Sequence, residues 1–426
     1  MTTRGRAFLA AGLTTAVCAI LLEQKDLLRV GVLLILLPLV TAFFLGRSRY
    51  RLGLVRSVSP AQVTAGQQAR VQLDLTNDGR MPTGLLLLED QVPYVLGTRP
   101  RFVVDQMGLR WRRTVGYVVR SDLRGKYAIG PMSVRLSDPF GLVEMNRAFQ
   151  TTTSLVVTPQ VLALPAIPLT GAWTGAGDNR PRAFASGSAE DVTVREYRRG
   201  DDLRRVHWRS SARVGELMVR REEQPWQSRA TLFIDNRMSS HRGSGAASSL
   251  EHAVSMAASI GVHLVQRGYV VRLVTAGGEE QGGAWHERGA GGGAETGPLL
   301  ESMAVLTEVD RALVDTRWVQ EAGHSGLLIA VLGAVTDRDK AALSRMRQSA
   351  ASSMALAIDT PAWARVPATT KTGEVSTAAW LMAHGWKAVD AGPRDAIAAV
   401  WQQLGLAGRG TSPANADTGA GVGGVS

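Results

Sequence analysis

The stretch "RATLFIDNRMSS", Arg229 to Ser240, sets the fold of the second half of the chain. Its first half is a short apolar run typical of a buried strand, and polar residues follow at once. Downstream, residues 249–267 carry apolar side chains at helical spacing, and further strand-like runs ("YVVRLVTA", "GLLIAVLGA", "SSMALAIDT") alternate with helix-like ones over residues 298–310, 337–348 (opened by Asp337) and 393–405. Strands that alternate with helices predict an α/β domain with a parallel sheet over residues 229–405.

Residues 57–160 have a different rhythm, with apolar residues at every second position between turns. The stretch "ARVQLDLTNDG" places Val71, Leu73 and Leu75 on one face and then turns at Asn77. Short strands of this kind predict an antiparallel β-sandwich of immunoglobulin-like type.

Two apolar runs open the chain, over about residues 7–22 and 27–45. Each is close to the roughly 20 residues that span a hydrocarbon core, so we predict a transmembrane helical hairpin over residues 1–50. A signal peptide would account for the first run alone. The basic residues that flank the hairpin outnumber those of its turn, which predicts a multi-pass protein of the cell membrane with both termini and the soluble domains in the cytoplasm. The flanking residues are Arg4, Arg6, Arg47, Arg49, Arg51 and Arg56, and the turn holds Lys25 and Arg29.

Composition limits the classes of function. Hydrophobic residues make up 45% of the 426 residues, and the net charge is +11. The arginines are interspersed with acids and form no basic stripe with aromatics, so nucleic-acid binding is not expected. The lone Cys18 excludes an intrachain disulfide. The glycine-rich residues 406–426 predict a disordered tail.

The loop after the strand at Arg229 contains a candidate metal site. Asp235 and Ser239 fit the Asp-x-Ser-x-Ser pattern of the metal-ion-dependent adhesion site of von Willebrand factor A domains, which this loop resembles. Arg237 replaces the first serine, while Thr336 and Asp337 resemble the Thr-Asp pair that supplies a further carboxylate. A guanidinium would compete with Mg²⁺ for the carboxylates, so we expect an Asp235–Arg237 pair and a degenerate site without a cofactor.

Residues 185–228 contain an arginine-rich segment. The run "VREYRRGDDLRRVHWRSSARVGELMVRREEQP", from Val194 to Pro225, holds nine arginines and six acids. We expect a helix over residues 203–212, capped by Asp201 or Asp202, with Tyr197 and Trp208 buried at a domain junction and Arg209 facing outward. The alternative is a solvated face laced with weak ion pairs.

This segment resembles the signature of the domain-of-unknown-function 58 family, Tyr-x-x-Gly-Asp-Asp/Glu-x-Arg-x-Ile-x-Trp-x-x-Ser/Thr-Ala-Arg. The upstream run "LRGKYAIGPMSVRLSDPFGL" resembles a second motif of that family. The resemblance implies a von Willebrand A-like region and an association with MoxR-type AAA+ ATPases. The signature and partner-binding candidates are Tyr197, Gly200, Asp201, Asp202, Arg204, Trp208, Arg209 and Arg213.

Two functional hypotheses remain open at this point. In the first, the protein is a non-catalytic membrane adaptor or scaffold for a MoxR-type ATPase and other envelope proteins. In the second, it is a metal-dependent hydrolase that uses Asp235 and Asp337. The sequence contains no P-loop, no HExxH and no GxSxG pattern, so we assign no catalytic residue.

Overall fold

A computed structural model describes most of the chain. It forms two compact units, of which the first comprises Met1–Leu162, Arg242–Ser259 and Gly297–Glu308, and the second the remainder. The predicted tail is outside the described residues from 408 onward, and so is most of the glycine-rich loop that precedes residue 296. The described residues are 1–47, 52–79, 85–104, 110–138, 140–169, 194–197, 206, 208–220, 228–278, 296–321, 325–363 and 376–407.

Two helices open the first unit, α1 (Thr3–Leu21) and α2 (Lys25–Arg47). Both are long and apolar enough to cross a membrane. They agree with the predicted runs 7–22 and 27–45 to within a few residues.

The two helices pack through glycines. A Cβ added at Gly12 would lie 2.7 Å from Ile35 Cγ1, and one added at Gly31 would lie 2.9 Å from the backbone N of Ala16. These distances leave no room for a side chain, because the two backbones approach closely. Close approach at small residues is how apolar helices associate in lipid, where packing rather than hydrophobic burial drives association.

The strands that follow are short, as the turn spacing predicts. They are β1 (Leu52–Ser59), β2 (Gln62–Thr64), β3 (Gln68–Asn77), β4 (Leu85–Asp90), β5 (Arg101–Val104), β6 (Trp111–Arg120), β7 (Gly125–Ile129), β8 (Met132–Ser137), β9 (Glu144–Phe149) and β10 (Thr153–Thr158).

These strands form sheets of order β1-β3-β6, β5-β4-β8-β9 and β2-β10-β7. The first two sheets are antiparallel, as predicted, whereas β2 runs parallel to β10 in the third. In β3 the predicted inward residues Val71, Leu73 and Leu75 are at most 1% exposed. The predicted turn is also present, since Gly79 N donates to Asn77 Oδ1 at 3.0 Å.

A buried ion pair crosses the core of the first unit. The Arg56 guanidinium donates to both carboxylate oxygens of Asp90, at 3.1 and 2.5 Å, and Tyr117 Oη donates to Asp90 at 2.6 Å. Arg56 Nη1 also donates to Ile129 O and Thr151 O. The use of Arg56 as a membrane-flanking charge is therefore wrong, because its side chain is only 1% exposed and is neutralised by Asp90.

The second unit contains the predicted parallel sheet, of order β14-β13-β15-β16-β17. Every pairing in this sheet is parallel. Phe233 stacks on Trp318 in its core, with ring centroids 6.2 Å apart. The strands of this sheet are β13 (Ser228–Ile234), β14 (Tyr269–Thr275), β15 (Ser325–Leu332), β16 (Ala350–Ile358) and β17 (Lys387–Ala391). Before them in the chain, residues 194–220 form β11 (Val194–Glu196), α3 (Trp208–Val214) and β12 (Met218–Arg220).

The helix predictions for the second half hold in type but not always in length. The helix expected over 249–267 is α4, whereas the one expected over 298–310 ends at Ala304. The helix opened by Asp337 begins as a 3-10 turn, Asp337–Asp339. The helices are α4 (Ser249–Gln266), α5 (Gly297–Ala304), α6 (Trp318–Glu321), α7 (Lys340–Gln348), α8 (Thr377–Ala383) and α9 (Ile397–Leu406), of which α6 and α8 were not predicted.

Candidate functional site

The loop after β13 lies at the position where open α/β sheets bind ligands. In chain order the sheet reads 2-1-3-4-5, so the strand order reverses between β13 and β15. Ligands bind at such switch points, beyond the carboxyl ends of the strands. The residues that follow β13 are therefore the first place to look for chemistry.

This loop is buried and fixed by its neighbours. Asp235, Asn236 and Arg237 are 0, 1 and 2% exposed. Asp235 N donates to Val331 O at 2.9 Å, and Ala276 N donates to Asn236 Oδ1 at 3.2 Å. The loop is thus tied to the ends of both neighbouring strands, which leaves its side chains little freedom.

Arg237 forms a bidentate salt bridge with Asp235. Its Nε donates to Asp235 Oδ1 and its Nη2 to Asp235 Oδ2, both at 2.9 Å. The backbone N of Arg237 donates to Oδ1 as well, at 3.2 Å. The predicted Asp235–Arg237 pair is confirmed, and both oxygens of the carboxylate are occupied by the guanidinium.

The same guanidinium reaches a second carboxylate from the loop after β15. Arg237 Nη1 donates to Asp339 Oδ1 at 2.6 Å and to Ala312 O at 3.3 Å. Burial alone would lower the pKa of Arg237, but the hydrogen bonds and charges of Asp235 and Asp339 raise it above its ordinary value. One fixed cation therefore lies between two buried carboxylates.

The second carboxylate is Asp339, not the predicted Asp337. Asp339 Oδ2 accepts hydrogen bonds from both the backbone N and Oγ1 of Thr336, each at 2.9 Å, which holds its other oxygen toward Arg237. The side chain of Asp337 is 91% exposed and pairs with Lys340, whose hydrogen bond and charge lower the pKa of that carboxyl. The spacing Thr-x-x-Asp is the signal that points to Asp339, because it is a capping box that turns the acid back toward the helix start.

Ser239, another predicted metal ligand, does not lie at the buried site either. Ser239 is exposed, so it does not share the buried position of Asp235. Within the described ranges, no three His, Cys, Asp or Glu side chains come together as metal ligands. The donor set at the switch point does not fit Mg²⁺, because an ion there would have to displace the guanidinium from both carboxylates.

The arginine-rich segment is built on a short antiparallel pair, β11 with β12. Tyr197 N donates to Leu217 O at 2.8 Å, and Tyr197 is half-buried. Val206 bridges to Val219, and both are buried. Gly200, Asp201, Asp202 and Arg204 lie outside the described residues, so their predicted capping and pairing stay predictions.

The helix described in this segment is α3, Trp208–Val214, and none of its residues is buried. Of the helix predicted over 203–212, residues 203–205 and 207 lie outside the described residues, and Val206 forms a bridge to Val219 instead. Trp208 is 71% exposed, so its expected burial at a domain junction is wrong. Arg209 is exposed as expected, and so is Arg213.

A buried arginine in the upstream motif was not predicted as functional. Arg124, between β6 and β7, donates to Met303 O at 2.9 Å and to Leu306 O at 2.6 Å, and it pairs with Glu251. All four residues belong to the first unit, where Arg124 ties the β-strands to α4 and the end of α5. The motif therefore has a structural role in the part of the chain described here.

Comparison with solved structures gives only weak likenesses. The CARDB domain of the PF1109 protein from Pyrococcus furiosus, solved with di-metal ions, is 15% identical and has a TM-score of 0.20, over 25% of this chain and 93% of that domain. The complex of Zinc 2-glycoprotein with Prolactin inducible protein from human seminal plasma is 11% identical, with a TM-score of 0.21, over 26% of this chain and 98% of the matched one.

Sequence comparison finds a distant relative and a family. The Uncharacterized protein YeaD of Bacillus subtilis (strain 168) is 24% identical over 231 residues, which are 53% of this chain and 56% of the relative. The match thus spans little more than half of that relative's length. Residues 193–285, which contain both the arginine-rich segment and the buried Asp235–Arg237 pair, match the family described as Protein of unknown function DUF58.

Proposed function

We propose that this protein is a membrane-anchored adaptor or scaffold that docks a MoxR-type AAA+ ATPase in protein-complex maturation or cell-envelope processes. The observation that carries the proposal is the exposure of Trp208, which is 71% accessible at the start of α3. Because most of its indole is exposed, Trp208 contributes little buried area to the fold among the described residues. Tryptophan and arginine are the residues most enriched at the energetic centres of protein interfaces.

The docking surface that we propose consists of exposed residues on and just after α3, and we call it the α3 surface. Val214 and Leu217 add apolar area to Trp208, at 59 and 41% exposure. Arg209 and Arg213 add positive charge. A partner that fits this surface offers an apolar pocket for the indole and acidic groups around it, because rim charges speed association and select the partner.

The membrane anchor in this proposal is the hairpin of α1 and α2, with the soluble parts in the cytoplasm. After removal of Arg56 from the count, Arg4 and Arg6 still precede the apolar run of α1, which begins at Ala7, whereas Arg29 in the second helix is paired with Asp26 at 2.9 Å. The excess of basic residues at the outer ends supports the cytoplasmic orientation. In this proposed orientation the α3 surface lies in the compartment of an ATP-dependent partner.

The domain types in this proposal are an immunoglobulin-like β-sandwich and a von Willebrand A-like α/β domain. The antiparallel sheets of the first unit and the 2-1-3-4-5 order of the second support these assignments. In this scheme Arg237 takes the position of the divalent ion of an adhesion site. The loop is then a permanently closed, non-catalytic version of that site, because its cation is covalently part of the chain.

The test is direct binding between the full chain in lipid nanodiscs and a purified MoxR-type ATPase of the same organism. We expect Trp208→Ala and Arg209→Ala to weaken binding while the melting temperature stays unchanged. Leu406→Ala is the matched control, since Leu406 is 63% exposed but lies in another helix of the second unit. This variant should bind the ATPase with the affinity of the parent chain. Equal affinity of all variants for the ATPase would overturn the proposal.

A further inference from the structure

We propose that a turn of the first unit inserts into the headgroup region of the bilayer that the hairpin crosses, with Phe140 as its apolar anchor. We call it the Phe140 turn; it contains Asp138, Phe140, Gly141 and Leu142. This inference rests on the proposed membrane anchoring and adds a third lipid contact to α1 and α2.

The described residues of the Phe140 turn are joined by hydrogen bonds, and the side chain of Phe140 is exposed. The carboxylate of Asp138, itself 8% exposed, accepts hydrogen bonds from Phe140 N at 3.1 Å and from Val143 N at 2.7 Å. Gly141 N donates back to Asp138 O at 3.0 Å. Leu142 is 1% exposed in the core, whereas Phe140 is 60% exposed. These hydrogen bonds therefore hold a phenyl ring in an exposed position, from which transfer to an apolar medium would be favourable.

The Phe140 turn is attached to the start of α1. Thr2 Oγ1 donates to Gly141 O at 2.6 Å, and Thr2 N donates to Leu142 O at 3.0 Å. The same hydroxyl accepts a hydrogen bond from Gly5 N at 3.2 Å and so caps the helix. A Cβ on Gly5 would overlap Leu142 O, at 2.2 Å, so only glycine permits this contact. The helix start and the turn thus move together.

The geometry of the helix sets the depth of the Phe140 turn. Thr2 precedes the apolar run that begins at Ala7 by five residues, or about 7.5 Å at 1.5 Å per residue. The polar region on each side of a hydrocarbon core is about 5–7 Å thick. A turn bonded to Thr2 therefore lies at the outer edge of the headgroup region when α1 spans the membrane, from where a side chain can enter that region.

Neighbouring side chains suit the same environment. Phe43 and Phe44, near the end of α2, are 62 and 57% exposed and lie at the same end of the hairpin as Thr2. Leu45, next to them, is 6% exposed in the core of the first unit, so this end of α2 is also attached to that unit. The guanidinium of Arg4 lies 3.6 Å from the position of a Cβ on Gly141. Exposed aromatic rings beside a basic residue fit the boundary between acyl chains and anionic headgroups.

The experiment is a depth measurement on the full chain in nanodiscs of phosphatidylcholine and phosphatidylglycerol. Cys18→Ala removes the single cysteine, and nitroxide labels are then placed one at a time by Phe140→Cys, Val118→Cys and Leu36→Cys. Collisions with oxygen, which concentrates in lipid, are compared with collisions with a water-soluble nickel chelate. Val118 is the matched control, because it is 52% exposed and pairs with Arg70 at the end of the sheet far from the α2–β1 junction.

We expect the oxygen-to-nickel ratio at position 140 to be several-fold higher than at position 118 and lower than at position 36, which lies within α2. An aqueous ratio at position 140 together with a lipid ratio at position 36 would overturn this inference and leave the proposed anchoring intact. An aqueous ratio at position 36 would overturn both. The label at position 140 could also be shielded from both oxygen and the nickel chelate. If that shielding disappeared in nanodiscs that hold a single copy of the chain, the turn would contact a second copy instead of lipid, which would also overturn the proposal. Equal melting temperatures of the labelled proteins check that each variant is folded.

Discussion

Arg237 and Arg209 are both arginines of the segment that matches DUF58, yet the fold uses them in opposite ways. Arg237 is 2% exposed, and its guanidinium is bonded to Asp235 and Asp339. Arg209 is exposed on a helix without a buried residue. Removing one member of a buried ion pair is destabilising, because it leaves the partner charge buried without compensation. An exposed charge contributes little to the stability of the fold and is available for binding. The difference separates a buried, paired arginine from an exposed one within thirty residues of sequence, and we propose a binding role only for the exposed one.

The comparison is tested most severely by Arg237→Ala. Removal of the guanidinium leaves the carboxylates of Asp235 and Asp339 buried together, and breaking a buried pair from one side costs about 3–5 kcal/mol. Arg209→Ala should change the free energy of unfolding by no more than about 0.5 kcal/mol. Thermal melting of the purified full chain in nanodiscs measures both. Equal melting of Arg237→Ala and Arg209→Ala would remove the distinction between the two arginines.

A second change converts the buried arginine into the residue of the adhesion-site pattern. Arg237→Ser restores Asp-x-Ser-x-Ser at residues 235–239 and frees the carboxylates, so Mg²⁺ should raise its melting temperature. At a hundredfold excess over Kd, binding to the folded state adds about 2.7 kcal/mol. The parent chain should show no such dependence on Mg²⁺, and neither should Arg237→Ser combined with Asp235→Ala. A saturable Mg²⁺ effect on the parent would contradict the account of Arg237 as the resident cation.

A substitution on the exposed α3 surface should weaken binding and leave the stability of the fold unchanged. Trp208→Ala should weaken the complex with the MoxR-type ATPase by about 2 kcal/mol, as interface tryptophans do, or roughly thirtyfold in Kd. Its melting temperature should equal that of the parent, since the indole is 71% exposed. Isothermal titration and thermal melting of the same sample decide between the two roles. A large drop in melting temperature would mean that Trp208 is buried after all.

The smallest expected effect concerns a buried histidine, His263. Burial, helped by the charge of Arg267, lowers the pKa of His263 below its ordinary value of 6.5. The unfolded chain then binds more protons between the two pKa values, so stability should fall as the pH drops from 6.5 toward the folded pKa. Melting at about pH 7.5 and about pH 5.5 should show a smaller acid loss for His263→Gln than for the parent. An identical pH dependence of the two proteins would count against this assignment.

The periodic parts of the fold could be predicted from sequence because local spacing determines them. The alternation of Val71, Leu73 and Leu75 predicted the core face of β3, and the run at Arg229 predicted the buried strand β13. The Asp235–Arg237 pair was also predictable, since two residues of separation at a strand end leave the side chains within reach.

The features that were missed depend on long-range contacts or on turn geometry. Arg56 follows the hairpin closely in sequence, but its partner Asp90 is 34 residues away, so its burial had no local signal. Asp337 and Asp339 differ only in how a single 3-10 turn points them. Trp208 was expected to be buried because aromatic residues usually are, yet residue type alone does not determine whether a side chain faces the core or the solvent.

Photo-crosslinking in native membranes tests the role of the exposed arginine helix most directly. Benzoylphenylalanine is placed at position 208, and at position 406 as a control of similar exposure in the same unit, where Leu406 is 63% exposed. The account predicts a covalent product with the MoxR-type ATPase from position 208, identified by mass spectrometry, and none from position 406. Absence of the ATPase product from position 208, or equal yields from both positions, would contradict it.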